Sequence, residues 1–308
     1  MSVSLTQLRT LSYAIMRESE DSATYPYVLV DQLINSAQLR ICSWQVHNAQ
    51  NGEAIRKGVL PFIESRQFVT NILSTSITAD TTIGATTLTV ADTTDYPTTG
   101  VLWMAENLVT YTGKTATTFT GCSGVLFAHL TGTRVYPAFA LNSNFMSMTQ
   151  VNYNNSLPIP YKEAKQVYRD LVPAMKGYNP IDLVQSNTST PIQYTRVAPF
   201  YTLWGWYFVP FFLDNTGGMF VLQYEKSPTE MTTGSDTATI DNDIWAKSTI
   251  PYLAVGEMLF NRGEEDRAMM LLSFAYAQLK EMYAYYNNRA SEDIDGTSVW
   301  FDKKYFNI

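Results

Sequence analysis

The stretch DNDIWAKSTIPYLAVGEMLFNRGEEDRAMMLLSFAYAQLKEMYAYYNNR, residues 241–289, carries a strong helical pattern at both ends and reads as two helices joined in a hairpin. Asp241 or Asp243 is placed to cap the first helix. Its apolar face falls at Trp245, Tyr252, Leu253, Gly256 and Leu259/Phe260, as a 3.6-residue period requires. Pro251 lies inside that pattern, and its missing N–H leaves the Lys247 carbonyl without a partner, which predicts a kink. Asn261-Arg262-Gly263 breaks the helix. The second helix opens with Glu264-Glu265-Asp266, suited to the positive end of the helix dipole, and is predicted to run to about Asn288. Met269, Leu272, Tyr276, Leu279, Tyr283 and Tyr286 form a seam over roughly 25 residues, about 37 Å of helix. Met270, Leu271 and Phe274 widen the apolar surface of its first half, which therefore needs cover on more than one side, from the rest of the chain or from another copy.

With 308 residues and 45% hydrophobic content, the chain has enough apolar material for one large domain or two ordinary ones. No basic region followed by an apolar stretch opens the sequence, so no secretory signal is expected, and the longest apolar run, near Trp204 to Leu213, is too short to span a bilayer. Cys42 and Cys122 are far apart in sequence, which points to buried thiols and a reduced cytoplasmic assembly environment rather than disulfide stapling. A net charge of −7 argues against gripping phosphates over a wide surface. An acidic surface can still border DNA without holding it.

Towards the N-terminus, Ser4 and Gln7 have the form of a capping box, and Leu5, Leu8, Leu11 or Ser12, and Ile15 predict a short amphipathic helix ending near Glu20. A second helix is predicted from Pro26, with Val30, Leu33/Ile34, Ala37, Ile41 and Trp44 on one face. Residues 53–73 are mixed and fit either helix or strand. From Ser74 to Tyr136-Pro137 the composition shifts to Thr, Gly and β-branched residues with few charges. Thr86–Val90, Val101–Ala105, Leu108–Thr112, Thr117–Cys122 and Thr133–Tyr136 are strand candidates of a separate small sandwich or barrel. Met146 to Tyr153 alternates like a strand, and Tyr161 to Leu171 is a short helix pattern. Pro191 to Tyr224 is rich in aromatics and predicts a hairpin that turns at Asp214 to Gly218 and returns as Met219 to Tyr224.

Residues 86–125, TTLTVADTTDYPTTGVLWMAENLVTYTGKTATTFTGCSGV, resemble a small β module that recurs in tailed-phage structural proteins. A larger resemblance lies in the order of several segments: VNYNNSLPIPYKEAKQVYRDL (151–171), TPIQYTRV (190–197), FVLQYEKSPTEMT (220–232), an Asp-rich linker, and the helix pair joined by NRGEEDRA (261–268). Over roughly residues 1–48 and 140–290 this order is similar to the head–tail adaptor, or head completion, proteins of tailed bacteriophages. The resemblance implies a ring, twelve copies on a twelve-fold portal, helical hairpins packed side by side and a central passage for DNA. The intervening insert of about 65 residues is large compared with ordinary loops.

Few residues offer catalytic chemistry. His47 and His129 are the only histidines, which leaves little for a Ser-His-Asp arrangement or a His-based metal site. No phosphate loop is present, and the capping role of Glu264, Glu265 and Asp266 is sufficient for that acidic turn. The expected architecture is α+β: an adaptor core from residues 1–71 and 140–290 with a C-terminal helical hairpin and an aromatic β-hairpin, an inserted all-β module at 72–139, and a C-terminal arm at 291–308. Met270, Leu271 and Phe274 are the expected ring interface. Val299, Trp300, Phe301, Tyr305, Phe306 and Ile308 put six large apolar side chains into ten residues and are the expected binding arm; the resemblance makes the portal its partner. The expected role is a non-enzymatic virion protein at the head–tail junction, joining portal to tail, with no cofactor, metal or membrane. A carbohydrate- or receptor-binding tail component is the alternative.

Overall fold

The computed structural model describes residues 2–21, 23–43, 60–104, 107–154, 158–163, 167, 200–211 and 217–296, with side chains up to Tyr286 at the C-terminal end. The fold is α+β, and among the described residues it has four α-helices and several antiparallel sheets. The chain forms two compact units, one from residues 1–65 and 225 onward, the other from residues 66–224.

The first unit holds the helices. Helix α1 (Leu5–Met16) begins at the expected capping box, with Gln7 N–H donating to Ser4 Oγ (3.3 Å) and Ser4 N–H to Gln7 Oε1 (3.1 Å). Its last helical residue is Met16, and Arg17, at φ 63, ends the run short of the expected end near Glu20. Helix α2 (Tyr27–Cys42) follows Pro26 and buries Val30, Ile34, Ala37, Gln38 and Ile41. Gln38 is accommodated in the core because its amide serves the segment that precedes the next helix: Nε2 donates to the Thr229 carbonyl (3.1 Å), while Oε1 accepts from Thr239 N–H (2.8 Å).

Helix α3 (Asp243–Asn261) lies against α1, α2 and the last helix, α4 (Glu265–Gly296). Its cap is Asn242, which accepts from Ile244 N–H (3.0 Å), rather than Asp241 or Asp243. Asp241 instead accepts from Tyr286 Oη (2.6 Å), and Asp243 pairs with Lys247 one turn on (3.3 Å). Ala246, Ile250, Leu253, Ala254, Val255, Met258 and Leu259 are buried, so α3 is covered on most sides. At Gly256 an added Cβ would stand 2.8 Å from the Leu272 side chain, which shows how closely α3 and α4 approach. Helix α4 extends beyond Asn288 to Gly296, so residues 291–296, expected to begin an arm, continue the helix.

The second unit is built from strands. Its largest sheet runs β10 (Phe200–Trp204), β11 (Tyr207–Phe211), β8 (Arg134–Ala140), β4 (Gly100–Met104), β5 (Asn107–Tyr111), with β2 (Thr75–Ser76) also on β8. Strand β8 pairs with β4 through Trp103↔Tyr136 and with β11 through Phe208↔Phe139. The Thr-rich region and the aromatic hairpin therefore share one sheet, and the expected boundary at 139/140 falls inside a strand. Pro137 lies within β8, opposite Leu102, and a proline interrupts a ladder only where its missing N–H is needed. The compact units divide instead at 65/66 and 224/225.

The hairpin also turns elsewhere than expected. Strands β10 and β11 pair from Phe200↔Phe211 to Trp204↔Tyr207 around Gly205-Trp206, and Gly205, at φ 59, supplies the positive φ that a two-residue turn needs at its first position. Strand β12 (Met219–Lys226) does not return to this hairpin but lies between β1 (Glu64–Thr70) and β9 (Phe145–Tyr153). Phe208 and Phe220 join the two sheets edge to face at 5.1 Å. A third small sheet, β3 (Thr87–Thr89), β7 (Thr118–Thr120) and β6 (Gly113–Lys114), closes over Leu88, Tyr96, Tyr111 and Phe119. The expected helix at Tyr161–Leu171 lies largely outside the described residues.

Candidate assembly surfaces

Helix α4 separates the three residues expected to form one interface. Adjacent helical residues point about 100° apart, and Leu271 turns inward, 7% exposed, while Met270 is 65% and Phe274 43% exposed. The inward stripe is Ala268, Leu271, Leu272, Ala275, Leu279, Met282, Tyr283 and Tyr286. Leu271 belongs to the core of this unit, which corrects its assignment to a contact surface. Met269, placed in the seam by its hydrophobicity, is exposed; Ala268 occupies the inward position. Phe274 keeps one edge on its own unit, with its ring 4.5 Å from that of Tyr252 on α3. Tyr283 Oη donates to the Ile41 carbonyl (3.1 Å), fixing the far part of α4 to the end of α2.

The acidic start of α4 is an exposed first turn, in which Glu264 accepts Ala268 N–H at its carbonyl (3.0 Å) and stands 3.6 Å from Arg267. Glu257 is the more constrained carboxylate: burial pushes its pKa up, opposed by its ion pair with Arg40. Arg9 and Asp31 pair at 2.5 Å, which ties α1 to α2. Cys42 and Cys122 are buried and not joined by a disulfide, and burial raises the pKa of Cys122 away from thiolate reactivity. His129 is buried against Asn107, Nε2 to Nδ2 3.3 Å, and burial lowers its pKa. Among the described residues no three His, Cys, Asp or Glu side chains gather as metal ligands. No described helix is long and apolar enough to cross a membrane.

Most described aromatics of the hairpin are core rather than binding surface. Phe200, Tyr201, Phe208 and Phe211 are buried and Trp204 and Tyr207 partly so, while Trp206 in the turn is exposed. Trp103, Tyr136, Phe200 and Phe211 pack with one another on one face of the largest sheet. A cleft of ≈ 240 Å³ lies among Leu73, Thr75, Asp92, Asp95, Tyr96 and Arg134. It is smaller than ordinary small-molecule sites, and Asp92 is already engaged by Thr94 N–H (2.9 Å) and Thr94 Oγ1 (2.7 Å).

Two exposed apolar groups escaped the sequence reading. One is Val28, Leu29 and Leu39 on α2; the other is Ile83, Leu126, Phe127 and Leu130 in loops of the β unit. The run Val125-Leu126-Phe127-Ala128-His129-Leu130 was a visible signal, since few other stretches of that Thr-rich region concentrate large apolar residues. His47 and the arm residues Val299, Trp300, Phe301, Tyr305, Phe306 and Ile308 lie outside the described residues. Compared with known protein families and with curated proteins, the chain matches none.

Proposed function

We propose that the chain is a structural virion protein: a non-enzymatic, ring-forming adaptor that joins the portal of a tailed bacteriophage to the tail nozzle or tube. Twelve copies would surround a passage for DNA, which an acidic chain of net charge −7 borders without gripping. The ordered resemblance of residues 1–48 and 140–290 to head–tail adaptors supports this reading. The structural observation that carries it is the outward face of α4, where Met270 and Phe274 stay exposed on a helix whose opposite face is fully packed. Large apolar side chains on such a face gain their cover from a neighbouring copy.

Val299, Trp300, Phe301, Tyr305, Phe306 and Ile308 are proposed as the arm that grips the portal, and the head–tail junction as the place of assembly. Because α4 continues to Gly296, the informative truncation removes residues 297–308. It should abolish co-purification with portal protein while far-UV circular dichroism stays unchanged; retained binding would overturn the arm. Native mass measurement of the chain, alone and with portal protein, tests the ring. A closed assembly near 420 kDa is expected for about twelve chains of 34.7 kDa. A chain that stays monomeric in both conditions would overturn the proposal.

A further inference from the structure

Two loops of the β unit, residues 79–86 and 121–133, are tied together through their backbones. Thr81 and His129 exchange N–H to carbonyl bonds of 2.8 and 2.9 Å, and Gly84 N–H donates to the Val125 carbonyl (2.9 Å). Asp80 accepts from both the N–H (2.7 Å) and the hydroxyl (2.9 Å) of Thr131. Gly132 N–H donates to the Ile77 carbonyl (2.8 Å), closing the second loop onto the strand region. These loops bury Cys122, Val125 and His129 yet hold Ile83, Leu126, Phe127 and Leu130 at 51–70% exposure. A clamped backbone is already ordered, so contact has only the rotamers of these side chains left to fix.

The chain that carries these four side chains holds almost no charge. Residues 81–91 and 115–133 contain no Asp, Glu, Lys or Arg, and the one histidine, His129, is buried. Asp80, at the base of the loops, is engaged by Thr131. These loops themselves offer no charged complement to a nucleic acid, an anionic lipid surface or a charged peptide. Copies of this chain, each at net charge −7, repel one another generally, and they approach with least repulsion where neither surface is charged.

We infer that this loop pair is a self-association surface, on which a second copy docks through the same loops about a two-fold axis. A neutral, apolar patch is self-complementary in chemistry, as an isologous contact requires. The four side chains expose roughly 450 Å² at the 150–250 Å² typical of large apolar residues. Pairing two copies covers roughly 900 Å² in total, more than most incidental contacts and less than the ~1,200 Å² at which stable complexes begin. The resulting dimer is weak and reversible. It uses a different unit from the α4 face and does not depend on the ring.

Sedimentation equilibrium of the full chain carrying Met270→Glu and Phe274→Glu isolates this contact from association through α4. Mass is expected to rise from monomer to dimer between roughly 10 and 500 μM. Adding Leu126→Glu should weaken the dimer at least about tenfold, and Phe127→Ser should act in the same direction. Both residues are exposed, so unchanged circular dichroism checks that the fold is retained. A monomer throughout that range overturns the inference, as does a dimer indifferent to both substitutions. So does binding of the monomer to phosphatidylcholine vesicles without dimerisation, which would assign the surface to lipid. Failure of the ring is read separately, in the chain without the α4 substitutions.

Discussion

The outward face of α4 and the loop pair of the β unit expose the same kind of side chain, but different local structure holds it there. On α4 exposure is a matter of helical phase: Leu271 and Met270 are neighbours in sequence, and one is core while the other is surface. In the loops, Val125 and Leu126 show the same division without any regular period, because the hydrogen bonds to Thr81, Gly84 and Asp80 set the direction of the chain. An apolar residue next to another apolar residue thus has no assigned role until its backbone is placed.

Five substitutions sharpen or break this contrast. Leu271→Ala should cost about 2–5 kcal/mol of stability, the range for emptying a core site, whereas Met270→Ser should stay within about 0.5 kcal/mol. Urea midpoints of the two variants decide it, and equal effects would erase the distinction between the faces. Gly256→Ala should cost about 1–3 kcal/mol, because the new methyl meets Leu272 at 2.8 Å and forces α3 and α4 apart. In the loops, Val125→Ala is expected to cost about 1–2 kcal/mol for its lost methyl groups. Leu126→Ser should be near neutral by the same urea assay.

The smallest effect concerns pH. Hydrogen bonds from Thr233, and then from Thr232, hold the Asp236 carboxylate down from 3.8 to about 2. A depressed carboxylate adds stability above its ordinary value and loses it as pH falls through the folded one. Stability should therefore decline between pH 3.8 and about 2, and Asp236→Asn should flatten that decline while lowering stability at neutral pH. Denaturation midpoints at pH 5, 3 and 2 check the sign.

What could be read from sequence follows how local the deciding forces are. The capping box of Ser4 and Gln7, the break at Asn261-Arg262-Gly263 and the start of α2 after Pro26 depend on neighbours within one turn, and all three stand in the structure. The cap of α3 was not legible, because Tyr286, 45 residues later, claims Asp241. Nor was the partner of β12, or the turn at Gly205-Trp206, since strand pairing is settled by contacts such as Phe208 with Phe139. On α4 the run Met269-Met270-Leu271-Leu272 is apolar at every position, so periodicity alone could not fix its phase. Small residues fixed it: Ala268 and Ala275 face inward and Gly256 admits Leu272, features that hydrophobicity does not reveal.

The most direct test of the proposed adaptor is the mass of its assembly when the outward face of α4 alone is changed. Mass photometry of the unaltered chain with portal protein should show a closed ring, and Met270→Glu combined with Phe274→Glu should abolish it while thermal stability and helical content are kept. A ring that forms equally well with both glutamates in place would contradict the claim that this face joins the copies.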